Sequence, residues 1–192
     1  MNRKTILITL GVILLLIAAA IGSFIGTYNQ LQTLDETVNS QWAQVENQLQ
    51  RRSDLIPNLV NTVKGYASHE KSIFIGVADA RAKLSGAVKG GDLKSINKAN
   101  ADFSGSLSRL LAIAENYPQL KADRNFIALQ DEIAGTENRL AVARKDYNES
   151  VKGINAIIRT FPTSIIASIS GVKSREYFEV EEGKTAVPDV KF

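Results

Sequence analysis

The sequence predicts an all-α protein: an antiparallel up-and-down four-helix bundle with an N-terminal transmembrane helix. Three observations predict it. An uncharged run from Thr5 to Leu34 has an apolar heart, residues 6–26, of 21 residues. Apolar residues then recur at alternating spacings of three and four over most of the remaining chain, the mark of amphipathic helices. Strand alternation and strand-to-strand hairpin turns are missing from that region, and aromatic residues make up only 7% of the chain, which disfavours a β-sandwich.

At 1.5 Å per residue, residues 6–26 cover roughly 30 Å, the thickness of a bilayer's hydrocarbon core. Ala18-Ala19-Ala20 has the look of a signal-peptide cleavage site. The apolar run nevertheless continues through Ile21, Phe24 and Ile25, so an uncleaved single-pass anchor is the expectation. Arg3 and Lys4 precede the span, and the next basic residue is Arg51, after Asp35, Glu36 and Glu46. By the positive-inside rule the N-terminus is cytoplasmic and the body periplasmic. Ala18, Gly22 and Gly26 recur every four residues, a spacing that lets two membrane helices approach closely, and they are candidates for membrane-helix packing.

The formal charge of +3 comes from 23 basic and 20 acidic residues. Arg3 and Lys4 supply two of the three charges, so the rest of the chain is nearly neutral, with basic and acidic residues interspersed. No nucleic-acid partner is expected from that pattern.

The first amphipathic helix is expected over 28–65, with a seam at Val38, Trp42, Val45, Leu49, Arg52, Ile56, Leu59, Val63 and Tyr66. Tyr28, Leu31 and Leu34 extend that face backwards, so the helix can run straight on from the membrane span. Arg52 stands on the apolar seam, and Pro57 removes an amide donor inside the helix and should kink it. The plain expectation is an arginine that snorkels outward beside a tolerated kink; the alternative is a polar spot held at a bend. A second helix is expected over 69–89, lined by Ile73, Val77, Ala80, Leu84 and Val88 and ended by Gly90-Gly91-Asp92. If the junction 65–68 does not turn, the first two helices merge. The third helix, 94–117, carries Ile96, Phe103, Leu107, Leu110, Leu111 and Ala114, and Pro118 closes it. The fourth, 123–160, is N-capped by Asp123, interrupted by Thr136 and Ser150, and stopped by Phe161-Pro162. Short connections make these antiparallel neighbours. The domain expectation is a basic N-terminus (1–5), an anchor (6–26), a bundle (27–161) and a C-terminal tail (162–192). In the tail, Ile165, Ile166 and Ile169 can form a short turn packing on the bundle end, broken by Gly171. The acidic-aromatic stretch 177–182 and the extended-looking 187–192 are expected to be mostly mobile, with some apolar docking.

The chain has no Cys and one His, His69. That excludes disulfide scaffolds, thiol nucleophiles, lipoprotein acylation and multi-histidine metal sites. Ser68-His69-Glu70 places three catalytic residue types side by side, but a triad must converge in space, not in sequence. Asp131 and Glu132 are adjacent on a helix and do not face each other. No catalytic residue, metal ligand or cofactor is expected, and the chain is read as a non-enzyme.

The stretch Gln50 through Glu70, with two Arg, an Asp and a Pro over an apolar seam, is unusual for a plain bundle helix. Together with Tyr28-Asn29, Ala114 through Ala122, Asn125-Phe126, Thr136 through Arg139, Ala143-Arg144, Tyr147-Asn148, Arg159 through Pro162, Tyr177 through Glu179 and Val190 through Phe192, it makes the chain resemble the LemA family of bacterial membrane-associated proteins. The resemblance covers nearly the whole chain. It implies a single-span protein of the bacterial inner (cytoplasmic) membrane with a helical bundle, and it brings no catalytic residues. It singles out Arg51, Arg52, Asp54, Pro57, Asn58, Tyr117 and Pro118 as candidate interaction residues. The function expected is that of a membrane-anchored interaction or scaffold protein, touching the lipid bilayer and a protein partner or further copies of itself, the membrane-proximal helix pairing as a coiled coil. Two alternatives stand beside it: an adaptor or regulator of a membrane protease in envelope stress, which rests on family association, and an enzyme with a polar pocket where Arg52, Asp54 and His69 converge.

Overall fold

The structure, a computed structural model, describes residues 3–178. Those residues form six α-helices and one 3-10 turn, with no strand among them. The helices are α1 (Arg3–Tyr66), α2 (Lys71–Gly90), α3 (Leu93–Ala112), α4 (Pro118–Lys121), α5 (Arg124–Ile157) and α6 (Thr163–Ser170); the 3-10 turn, Ile113–Asn116, follows α3. The chain divides into two compact units, one of residues 1–41 and 148–175, the other of residues 42–147 and the segment from Glu176.

The apolar span and the amphipathic helix predicted after it form one helix, α1. Its N-terminal part is apolar on every side and is not buried against any of the described residues, and α1 is the helix among them long and apolar enough to cross a membrane. The seam then appears where the spacing put it, with Val38, Val45, Leu49, Ile56, Leu59 and Val63 all buried. Tyr66, at its end, is exposed. Residues 67–70 do turn: the Ala67 amide donates to Val63 O at 2.9 Å and the Glu70 amide to Ala67 O at 3.1 Å, so α1 and α2 are separate helices.

In the first unit, Leu31 packs with Ile166 and Ala167 of α6, surrounded by Ile157, Ile158 and Val172. The buried face of α6 is thus 166/167; Ile165 and Ile169, expected to pack inward, are exposed. Gly171 ends α6 in the left-handed region at φ 74°, and the Val172 amide reaches back to Ala167 O at 3.1 Å, closing the helix end as only a residue without a Cβ does cheaply. The buried side-chain amide of Asn155 then ties down the segment after it. It accepts from the Arg175 amide at 2.9 Å and donates to Arg175 O at 2.8 Å. Arg175 itself donates through Nε and Nη2 to Asp35 Oδ1 at 3.1 and 2.7 Å.

In the second unit, α3 is shorter than expected. It ends at Ala112 and tightens into the 3-10 turn, because Pro118 forces Tyr117 out of the helical region to φ −128°, ψ 84°. Pro118 then occupies the first position of α4, where its missing amide costs nothing. Phe178 is 3% exposed, its ring 6.4 Å from that of Trp42, which also meets Tyr147 edge-on at 5.4 Å. The Tyr147 hydroxyl donates to Glu176 O at 3.0 Å. The expectation of a mostly mobile tail therefore fails up to Phe178, where side chains of α5 hold the backbone; 179–182 and 187–192 lie outside the described residues.

Two aspartates cap helices. Asp92 Oδ2 accepts from the Ser95 amide at 2.9 Å, and Asp123 Oδ1 from the Phe126 amide at 2.9 Å, the cap the sequence predicted. Asp123 Oδ2 also accepts from the Tyr66 hydroxyl at 2.8 Å. The Phe126 amide and the Tyr66 hydroxyl hold the Asp123 carboxyl below its ordinary value, and the Ser95 hydrogen bonds do the same for Asp92. A carboxyl lowered in the folded state adds stability that is complete above the unfolded pKa and is lost as pH falls through the folded one. The melting midpoint should therefore fall below about pH 4, near the unfolded carboxyl pKa. The double variant Asp92→Asn/Asp123→Asn keeps a capping oxygen and should show a shallower acid limb in circular-dichroism melts. An acid limb as steep as that of the unaltered protein would mean that these caps do not titrate with folding.

Candidate functional site

Ala18, Gly22 and Gly26 of α1 lie in the first unit, and the candidate interaction residues of α1, Arg51 to Asn58, lie in the second. Arg51 is exposed and donates through Nε and Nη2 to Glu132 Oε1 of α5 at 3.1 and 2.8 Å. The same oxygen accepts from Arg139 Nη2 at 2.9 Å. These two arginines hold the Glu132 carboxyl below its ordinary value, the Arg51 hydrogen bond being the largest cause. Asp54 accepts from Gln50 Nε2 at 2.8 Å and lies 3.8 Å from Arg81 Nη2 of α2. The Asn58 carbonyl accepts from the Thr62 hydroxyl at 2.9 Å.

Arg52 does not snorkel. It is 5% exposed, with Nη1 2.6 Å from Glu137 Oε2 of α5 and donating to Asn100 Oδ1 of α3 at 3.3 Å. Its guanidinium carbon lies 5.4 Å from the centre of the Phe103 ring. The reason is geometric: on this seam position the side chain is enclosed by Asn100 and Phe103 of α3 and by Glu137 of α5. Burial pulls the guanidinium below the usual arginine value, and Glu137 opposes the shift. A second arginine, Arg144, stands near the same carboxylate. Burial lowers its pKa most, Glu137 raises it and Arg52 lowers it again. Its guanidinium carbon sits 4.5 Å from the centre of the Phe178 ring, while its Nε and Nη2 are buried without a hydrogen-bond partner among the described residues. One buried and one half-buried cation thus feel the same carboxylate.

Pro57 lies inside α1, which continues through it. Having no amide, Pro57 leaves the carbonyl four residues back, that of Ser53, without its helical donor. Arg81 of α2 fills the gap: its Nε donates to Ser53 O at 3.0 Å and to Ser53 Oγ at 3.2 Å. The proline is tolerated because a neighbouring helix supplies the missing hydrogen bond. Beside it runs a cleft of about 440 Å³ with Ile56, Pro57, Val60 and Phe74 among its apolar lining and Gln50, Lys64 and Arg81 among its polar lining. Lys64 Nζ also stands 5.4 Å from the centre of the Phe74 ring.

Of the predicted residues, the structure gathers 51, 52, 54 and 57 on one stretch of α1 and puts Pro57 at the cleft. Tyr117 and Pro118 stand instead at the α3–α4 junction, as turn and helix-start residues. Arg52, Asp54 and His69 do not line the cleft, and His69 lies exposed in the turn after α1. Arg81, Asn100, Glu137 and Arg144 were not anticipated. Asn100 had a readable signal, since it stands on the apolar stripe between Ile96 and Phe103 as Arg52 stands on its seam. Nothing in the spacing marked Arg81.

A profile of the LemA family matches residues 41–192. Among similar proteins, Magnetosome protein MamQ of Magnetospirillum gryphiswaldense is 28% identical over an alignment covering 97% of this chain and 78% of the relative. Magnetosome protein MamQ 2 of Paramagnetospirillum magneticum is 28% identical over 85% of this chain and 68% of its own length. Protein LemA of Metamycoplasma hominis is 21% identical over 83% of this chain and 72% of its own.

The Pro57–Arg81 pairing predicts a specific coupling. Arg81→Ala leaves the Ser53 carbonyl unsatisfied and should destabilise by about 1–2 kcal/mol. In a Pro57→Ala background the helical amide is restored, so the same change should cost roughly 1 kcal/mol less. Denaturant unfolding of the four proteins measures the coupling; strictly additive effects would mean that Arg81 does not stand in for the missing amide.

Proposed function

Because the chain belongs to the LemA family, we propose that it is a membrane-anchored helical interaction protein of the bacterial cytoplasmic membrane, whose body is a scaffold for a protein partner or for further copies of itself. One observation carries this reading. The apolar part of α1 turns large side chains outward on all sides, Leu7, Leu14 and Leu15 being at least 67% exposed. Apolar surface left in water costs about 25 cal/mol per Å², and a bilayer removes that cost for a helix of this length. Arg3 and Lys4 ahead of the span favour a cytoplasmic N-terminus and a body in the periplasm.

The body's scaffold, in this reading, is an antiparallel up-and-down bundle formed in the second unit by the α1 segment from Trp42, α2, α3 and the α5 segment to Tyr147. Contacts already described support it: Arg51 and Arg52 meet α5, Arg81 meets α1, and two residues connect α2 to α3. The cleft beside Pro57 has a size and a mixed apolar–polar lining suited to side chains of a partner. Among the described residues nothing lies within 4 Å of where a Cβ would stand at Gly22 or Gly26, so the Ala18–Gly22–Gly26 stripe is open to a second membrane helix. Binding rather than catalysis is favoured by a composition with no Cys and one exposed His.

The test is crosslinking in intact cells followed by carbonate extraction and mass spectrometry of the full chain. The expected result is retention in the membrane pellet, with lysines of α1 and α2 crosslinked to one defined partner or to a second copy. Release into the soluble fraction, or a body crosslinked to no protein at all, would overturn the reading. Protease treatment of spheroplasts should cut the body; full protection there, with cutting only in inverted vesicles, would reverse the orientation.

A further inference from the structure

We propose that α6 is a second membrane contact: a short helix lying in the headgroup region of the bilayer that α1 crosses, with Phe161, Ile165 and Ile169 turned into the lipid. The proposal rests on the anchor reading above.

The placement follows from the first unit alone. The apolar span of α1 ends at Gly26, and Leu31 follows five residues later, about 7.5 Å further along the helix axis. The polar headgroup layer on each side of the hydrocarbon is about 5–7 Å thick. Leu31 therefore stands at the outer edge of that layer, and Ile166 and Ala167 of α6 pack directly against it. Tyr28, exposed and two residues past the span, occupies the level at which aromatic residues anchor membrane helices.

The opposite face of α6 is apolar and uncovered. Ile165 and Ile169, four residues apart on α6, share a stripe and are 53% and 69% exposed, and Phe161, two residues before the helix begins, is 82% exposed. Three large apolar side chains so exposed are costly in water, and here they stand beside the bilayer rather than far from it. The charge around them suits a lipid surface. From Val151 to Arg175 the chain has no Asp or Glu, while Lys152, Arg159, Lys173 and Arg175 are basic. Arg159 and Lys173 are exposed on either side of the stripe. Arg175 is paired with Asp35, but an apolar face with exposed cations before and after it in the chain is the pattern of an interfacial helix bound to anionic headgroups.

The chain has no cysteine, so single labels are simple to introduce. Leu15→Cys, Phe161→Cys, Ile165→Cys and Ile169→Cys all fall at exposed positions. Each full-length variant, labelled with NBD, is placed one copy per nanodisc of phosphatidylcholine and phosphatidylglycerol. Quenching is then compared between lipids carrying a doxyl group at acyl carbon 5 and at carbon 12. The Leu15 label should be quenched more by the deep probe. Labels at 161, 165 and 169 should be quenched at least twofold more by the shallow probe, and Ile165→Glu/Ile169→Glu should at least halve the shallow quenching of the 161 label. If Leu15 is quenched and the α6 labels are not, the proposal fails while the anchor stands. If α6 labels become shielded only in discs holding two copies, a second copy covers the stripe and the proposal fails. If Leu15 is also unquenched, the anchor reading itself is overturned.

Discussion

A guanidinium buried in a helical seam is the constraint around which the second unit is arranged. Arg52 occupies a position that the spacing of α1 reserves for an apolar residue, and burial there disfavours its charge. The neighbours are those that a trapped cation requires: a carboxylate from Glu137, an amide oxygen from Asn100 and the face of the Phe103 ring. Two come from one turn of α3 and one from α5. Arg144 extends the same centre toward Phe178, so Phe178 is held by a guanidinium as well as by the ring of Trp42.

The second constraint is continuity of α1 through Pro57. A proline inside a helix ordinarily leaves one carbonyl orphaned and bends the chain. Here the orphan, Ser53 O, receives the Arg81 Nε–H. The hydrogen bond that α1 lacks is made by α2, which ties the position of α2 to a backbone atom rather than to a mobile side chain.

Much of this was legible in the sequence. The all-α class, the apolar span, the seam from Val38 to Val63, the Asp123 cap and the end of α2 follow from spacing and cap chemistry, which are local. The relations that depend on what lies across the core were not legible. Arg52 was expected to reach water, because an arginine at the edge of a seam usually can; whether it does depends on how closely α3 and α5 close over it. Helix α3 was drawn too long because the Ile113–Asn116 residues continue the apolar stripe, whereas the restriction that Pro118 places on Tyr117 changes the helix type upstream. Ile165 and Ile169 were counted as core because they are apolar, yet Leu31 meets Ile166 and Ala167, and the stripe on the other side faces outward. The role of Arg81 had no local sign, since the group it serves is 28 residues away.

The claim that Arg52 is an interior charge organising the second unit is tested most directly by the unfolding free energy of Arg52→Ala in the full chain. Removing one member of a fully buried ion pair costs about 3–5 kcal/mol. Glu137 is partly exposed, so the expected loss is smaller, roughly 2–3 kcal/mol by the same reasoning, with Arg51→Ala as the exposed comparison losing much less. A loss within about 0.5 kcal/mol, the range of ordinary surface substitutions, would show that Arg52 is solvated and would contradict the account.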